Sequence, residues 1–271
     1  MSEQESQKDI IHFSHANGFP AKTYEIMLAE LANEFQVGFI NTHAHDPDYP
    51  VDNNWQHLVT ELEQFMERCY DKPVIAVGHS FGGVLSYMLA CKRPDLIKQL
   101  IILDAPVLDP VASFFIKAIK RTWLMDKITP AGRTDGRQEN WPNAQAAIEY
   151  FQGKSLFKNV DERCLAHYVE HAMEPFVNGL EKGIKLIFSA QTEVSIYRTI
   201  PDNLKARRSL DIPCSMIHGE DSDVVYGMQL RYMENKLGFH TLQVDGGHLF
   251  PLEQPEYAAQ HIINTIKQFS D

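Results

Sequence analysis

The sequence predicts an α/β protein built on a mostly parallel sheet of about six strands with helices on both faces. Three observations carry that reading. Short β-prone runs alternate with amphipathic helical runs through the first 105 residues. The alternation stops over residues 106–210, which are rich in helix-like segments. It resumes over 211–271. Strands that alternate with helices imply parallel pairing and a sheet covered on both sides. The chain therefore divides into two parts of one core, 1–105 and 211–271, with an inserted helical cap at 106–210.

In order, Asp9 to Ser14 is a first strand, followed by a turn-rich loop from His15 to Pro20. Lys22 to Glu34 carries Tyr24, Met27, Leu28 and Leu31 on one helical face. Phe35 to Asn41 is a second strand, His43 to Pro50 a loop, and Asp52 to Tyr70 a long helix. Val74 to Val77 is a buried strand opened by Pro73, and Val84 to Lys92 a helix. Gln99 to Asp104 closes the first block. The insertion offers helices at Val111 to Ile128, Asn143 to Gly153 and Asp161 to Met173, with one strand-like run at Ile184 to Phe188. Ile212 to Ile217 and Phe239 to Val244 are the last strands. Helices follow them at Gly227 to Lys236 and Glu256 to Phe269.

The 271 residues are enough to bury a full core. Hydrophobic content of 44% and charged content of 23% are those of an ordinary globular protein. A formal net charge of −11 opposes nucleic acid or an anionic membrane surface as a main partner, leaving a small molecule. The four cysteines form no C-x-x-C pair and read as buried, reduced thiols. The opening MSEQESQKD has no apolar leader-like run, and no stretch approaches a membrane span, so a cytoplasmic location is expected.

The chemistry centres on Gly78-His79-Ser80-Phe81-Gly82, a match to G-x-S-x-G. Alone the pattern is weak, arising by chance in roughly one chain of this length in ten. Here a buried strand precedes it and a helix follows, which is the context of a nucleophile elbow. A serine on so sharp a turn needs nearly side-chain-free neighbours two residues before and after, and Gly78 and Gly82 provide them. The N–H groups beyond it lie at a helix N-terminus, where an oxyanion is stabilised. A serine nucleophile also needs a base and an acid that orients it. Both are available in loops after later strands: the acid at Glu220 to Asp223, and His248 within Asp245-Gly246-Gly247-His248.

With these residues in place, the chain resembles the α/β-hydrolase superfamily over nearly its whole length. GHSFGG is similar to the family's elbow, GGHLFPLEQPE to its terminal histidine loop, and SHANGFP to its His-Gly-x-Pro loop with two extra residues between His15 and Gly18. The resemblance implies Ser80 as nucleophile and His248 as base. It also implies oxyanion N–H groups from Phe19 and Phe81. The family's first two strands have no room before Asp9, which implies a six-stranded sheet in the order 4-3-5-6-7-8 of family numbering. The loop that often reads Asp-x-Arg-Gly-His-Gly is THAHDPDYP here. The cap segments RQENWP, EYFQGKSLF and YVEH resemble those of a group of microbial and fungal α/β-hydrolases with mostly unassigned substrates.

The acid has three candidates. Many family members place it three residues after the glycine ending the seventh strand, which is Ser222 here. A Gly-x-x-Ser-Asp variant fits Gly219 to Asp223 and points to Asp223, with Asp221 and Asp104 as rivals. The expected activity is hydrolysis of a small or medium apolar ester through an acyl-enzyme, with no cofactor. Thioesters, lactones and carbon–carbon bonds are alternatives, as are a non-catalytic binder and a metal-dependent hydrolase. No metal is expected. His43 and His45 lack the full metallo-hydrolase ligand set, and His167-Tyr168-Val169-Glu170-His171 matches the H-x-x-E-H zinc motif inside a stretch that the cap resemblance already explains. Of the cap aromatics, Phe114, Phe115, Trp123, Trp141, Tyr150 and Phe151 are expected to be mostly core, with some lining an apolar pocket.

Overall fold

The aliphatic runs that alternate with helices assemble into one parallel sheet. A computed structural model of the chain describes residues 8–179, 181–204, 210–225 and 227–269. Six strands, β1 (Ile10–Ser14), β2 (Gln36–Phe39), β3 (Val74–His79), β4 (Ile97–Leu103), β8 (Cys214–Gly219) and β9 (His240–Val244), lie in the order β2-β1-β3-β4-β8-β9. Every neighbouring pair in it is parallel. This is the order that the family resemblance implies. The central strands β1, β3 and β8 are buried at every residue, whereas the edge strands β2 and β9 are partly exposed.

Side chains two apart on a strand share a face, and each face of this sheet has its own core. Ile75 and Val77 of β3 join Ile101 and Leu103 of β4 under α1 (Glu25–Ala32) and the C-terminal helix Pro255–Gln268. Val74 and Ala76 join Leu100 and Ile102 under α2 (Gln56–Cys69) and α3 (Phe81–Lys92). β1 sits between β2 and β3, so the chain reverses its direction of travel across the sheet at the β1/β3 boundary. Crevices open at the carboxyl ends of strands at such switch points.

Between β4 and β8 the chain leaves the sheet. Helices α4 (Pro110–Ile119), α5 (Leu124–Ile128), α6 (Ala131–Thr134), α7 (Ala144–Gln152), α8 (Glu162–His171) and α9 (Ala190–Arg198) accompany a second sheet. It is three-stranded and antiparallel, in the order β5-β7-β6, from β5 (Asn140–Trp141), β6 (Met173–Asn178) and β7 (Glu181–Leu186). Only one strand-like run was expected here. The missed signal is the dipeptide Asn178-Gly179, a hairpin-turn pair whose glycine adopts φ +62°. Trp141, Phe151, Phe157 and Tyr168 are buried in the same cluster as the α1 face of the main sheet, so insertion and core share a hydrophobic interior.

Of the six cap aromatics named from sequence, Trp141 and Phe151 are core and Tyr150 is half-buried. Phe114, Phe115 and Trp123 are exposed instead, on or just beyond α4. The four cysteines are free thiols. Cys164 and Cys214 are buried, but Cys69 and Cys91 are exposed, contrary to the expectation of burial. Among the described residues no helix is long and apolar enough to cross a membrane.

Candidate active site

Ser80 stands between the last residue of β3 and the first of α3, with φ 52° and ψ −118°. A non-glycine residue holds so unfavourable a backbone only where its surroundings enforce it. Two constraints are visible. Ser80 N–H donates to Leu103 O at 2.9 Å, tying the turn to β4. The flanking glycines allow close approach: a Cβ on Gly78 would collide with the Gly82 carbonyl, and one on Gly82 with the Ser14 carbonyl. The half-buried Ser80 hydroxyl lies 3.1 Å from His248 Nε2.

His248 projects from the loop after β9, and its other ring nitrogen, Nδ1, is 2.6 Å from Asp104 Oδ2. That hydrogen bond sets the tautomer: Nδ1–H donates to the carboxylate and Nε2 is left to accept from the serine. The loop is fixed from behind. His79 Nε2–H donates to the His248 carbonyl at 2.9 Å, and the Tyr24 hydroxyl donates to His79 Nδ1 at 2.7 Å. Complete burial, reinforced by the neighbouring His248, holds the His79 pKa well below its ordinary value, so its ring is neutral.

The carboxylate that meets His248 is Asp104, not the expected Asp223. It is fully buried at the carboxyl end of β4 and held at φ 44°. Oδ1 accepts from Gly219 N–H at 3.2 Å, and Oδ2 accepts from both His248 and the Ser222 hydroxyl, the latter at 2.5 Å. Three donors satisfy a carboxylate that would otherwise be costly to bury. Asp223 and Asp221 are both exposed, with Asp221 N–H spent on Gly246 O. The physical reason is reach: β4 adjoins β8 and ends beneath the His248 loop, whereas the Asp223 side chain is left at the surface. Ser222, in the position where a carboxylate was considered, supports Asp104 with its hydroxyl.

The two expected oxyanion donors fare differently. Phe81 N–H is the first of α3, one of the donors that a helix leaves without an internal acceptor. Phe19 N–H does not remain available. It donates to Ala16 O at 3.1 Å and closes a turn whose third residue, Gly18, has φ +81°. The two extra residues between His15 and Gly18 form that turn and move Phe19 out of the role. Its ring packs instead on Phe157 and Tyr168 of the insertion.

The same loop is braced on both sides. His15 Nε2 accepts from His43 N–H at 2.8 Å, so its Nδ1–H donates to Ala16 O at 2.8 Å. Burial and the nearby His43 keep the His15 pKa well below its ordinary value. His43 Nδ1 faces the buried Glu61 at 3.3 Å and His45 Nδ1 donates to His43 O, so these two histidines serve as loop scaffold. From the insertion, Glu193 O accepts from Asn17 Nδ2 at 3.2 Å, and the Glu193 carboxylate is gripped by Arg137 at 2.5 and 2.8 Å. Burial raises the Glu193 pKa against the opposing pull of Arg137. Neither His15–His43 nor Arg137–Glu193 is visible as a motif, because each joins residues distant in sequence.

A model of the alpha/beta hydrolase family matches residues 13–261. A type I acyl-CoA thioesterase of Penicillium brevicompactum is 26% identical over 157 residues, covering 58% of this chain and 33% of that protein. The chain thus spans about a third of the length of the thioesterase it matches. An uncharacterized hydrolase of Bacillus subtilis, YugF, is 23% identical over 219 residues, 79% of this chain and 72% of its own. In structure, the peroxisomal alpha-beta-hydrolase Lpx1 of Saccharomyces cerevisiae superposes with a TM-score of 0.76 at 15% identity, covering 97% of this chain and 77% of that one. A thioesterase domain from the curacin biosynthetic pathway superposes at 0.73 with 15% identity, covering 95% and 91%. At these identities the structural likeness speaks for the fold.

Proposed function

Starting from a chain that belongs to the alpha/beta hydrolase family, we propose that it is a serine hydrolase cleaving a small or medium apolar carboxylic ester through an acyl-enzyme on Ser80. The observation that carries the reading is the continuous relay from Ser80 Oγ to His248 (3.1 Å) and from His248 to Asp104 (2.6 Å) at one sheet edge. As Ser80 Oγ attacks the substrate carbonyl, its proton passes to His248 Nε2. The imidazolium then forming is stabilised by ionised Asp104, which keeps the Nδ1 proton at its oxygen but does not take it up. Phe81 N–H and the N–H of Asn17, in the loop after β1, receive the oxyanion. Collapse of the tetrahedral species breaks the bond to the leaving group, which departs with the proton from His248. Water then repeats the sequence on the acyl-enzyme and frees Ser80.

A thioester is the second reading, favoured by the relatives named as thioesterases. The same serine, base and oxyanion donors would serve it with a thiolate leaving group.

Two measurements test these readings. A fluorophosphonate probe should label wild-type protein once, and Ser80→Ala not at all; equal labelling of the variant would assign the nucleophile elsewhere. A chain-length panel of nitrophenyl esters beside acyl-CoA thioesters should then separate the two substrate classes by kcat/KM.

A further inference from the structure

The H-x-x-E-H stretch of α8 does something the sequence does not disclose. Its two histidines, His167 and His171, lie four apart on one helical face, with rings parallel to within 2° and centroids 6.0 Å apart. The third group they meet is not Glu170 of their own motif, which is exposed, but Glu25 at the start of α1. Glu25 Oε2 is 3.3 Å from His171 Nε2 and 3.6 Å from His167 Nδ1, and all three donor atoms lie within 4.8 Å of one another. His167 Nδ1 is buried and makes no hydrogen bond, because 3.6 Å is too long for one.

We propose that Glu25, His167 and His171 form a site for a divalent transition-metal ion, zinc being the natural occupant, that staples α8 of the insertion to α1 of the core. Aiming two ring nitrogens at one carboxylate oxygen is poor hydrogen bonding but good ligand geometry. Donors bound to zinc at about 2.0–2.1 Å in a tetrahedron lie roughly 3.4 Å apart, which the two measured separations bracket. Two imidazoles and a carboxylate suit zinc and its neighbours in the first transition row, and disfavour magnesium and calcium, which take oxygen sets. All three residues are partly exposed, so an ion can reach them and water can complete the coordination. The site is distinct from the serine relay and supplies no group to it. Its effect is mechanical, since Tyr168 in the same turn of α8 packs on Phe19 of the loop beside Ser80.

The test uses the full chain stripped of metal and titrated with zinc chloride by calorimetry, and with cobalt(II) by visible absorption. One equivalent should bind with micromolar affinity and give the intense bands of tetrahedral cobalt, while magnesium gives no heat. Zinc at a hundredfold excess over Kd should raise Tm by about 5 °C. Glu25→Gln, His167→Ala and His171→Ala should each weaken binding by at least the 10- to 100-fold that loss of an outer-shell partner costs. His240→Gln, an exposed histidine elsewhere, should bind as wild type. Metal-free Tm is measured for every variant. Glu25 is more than half exposed, so Glu25→Gln keeps the test valid even if a histidine variant is poorly folded. Zinc isotherms that coincide for wild type and Glu25→Gln, or a cobalt spectrum untouched by His171→Ala, would overturn the site. A millimolar wild-type affinity would do so as well, leaving a histidine–glutamate ion pair only.

Discussion

Asp104 Oδ2 lies 2.6 Å from His248 Nδ1 although the two residues are 144 positions apart in the chain. What joins them is the sheet order. β4 adjoins β8 and β8 adjoins β9, so the residue ending β4 and the loop leaving β9 meet above the same edge. The Ser222 hydroxyl, reaching Asp104 from the loop after β8, fills the space between.

It follows that Asp104→Asn should lower kcat by roughly 10⁴, the cost of losing the orienting carboxylate in the comparable protease triad. Asp223→Asn and Asp221→Asn should leave kcat near wild type, since both side chains are exposed. Ser222→Ala removes one charge-assisted hydrogen bond and should cost about tenfold in kcat with KM little changed. Steady-state kinetics on an ester substrate decides all four. A collapse in Asp223→Asn with an active Asp104→Asn would return the role to Asp223.

The elements that were legible in sequence are those whose signal is local. Val74 to Val77, Gly78, Ser80 and Gly82 announce strand, turn and helix within a dozen residues, and the Gly246-Gly247-His248 loop is equally self-contained. The local Gly-x-x-Ser-Asp pattern favours Asp223 over Asp104, but both follow a strand and the choice depends on which loop the histidine overhangs. Phe19 was misplaced because the effect of two inserted residues is a backbone hydrogen bond to Ala16, which no motif encodes. Glu25 carries no pattern at all; only the packing of α8 on α1 and on the short helix Ala21–Tyr24 before it brings it to His167 and His171.

Three buried histidines predict an acid-sensitive fold. His12, His15 and His79 are fully buried with pKa values depressed, chiefly by desolvation, His12 to about 3. The unfolded chain binds their protons near pH 6.5, the folded chain only far lower. Stability is therefore fully present above pH 6.5 and is lost as pH falls toward the folded values. The slope approaches about 1.4 kcal/mol per pH unit for each histidine. Urea midpoints should fall steadily from pH 7.5 to 5.0. A flat profile would mean that these rings are protonated in the native state.

Trp141 and Phe151 pack on each other and on Tyr150, with Phe151 also against Phe157 and Tyr168. Trp141→Ala and Phe151→Ala should each cost about 3–5 kcal/mol of stability by opening a cavity. Trp123→Ala and Phe114→Ala, on exposed side chains, should change stability by under about 0.5 kcal/mol. If one of these four alters chain-length preference without touching stability, it should be Trp123 or Phe114. Chemical denaturation and the ester panel on the same preparations separate the two effects.

Gly18 gives the sharpest test of the loop beside Ser80. It holds φ +81°, and a Cβ there would come 2.9 Å from the Glu193 carboxylate that Arg137 grips. Gly18→Ala must therefore shift either the loop or the ion pair, whose members are too buried to re-solvate freely. Gly179 is the proper control, with φ +62° and nothing within 4 Å of an added Cβ. Both substitutions incur a left-handed backbone penalty of about 1–2 kcal/mol. Only Gly18→Ala displaces the adjoining Asn17 N–H, and its kcat should drop by about 10²–10³, the range for losing one oxyanion donor. KM should move far less, because the loss falls on the transition state. Gly179→Ala, which carries the same backbone penalty without the clash, should keep wild-type kcat; matching kcat values for the two variants would remove this loop from the oxyanion role.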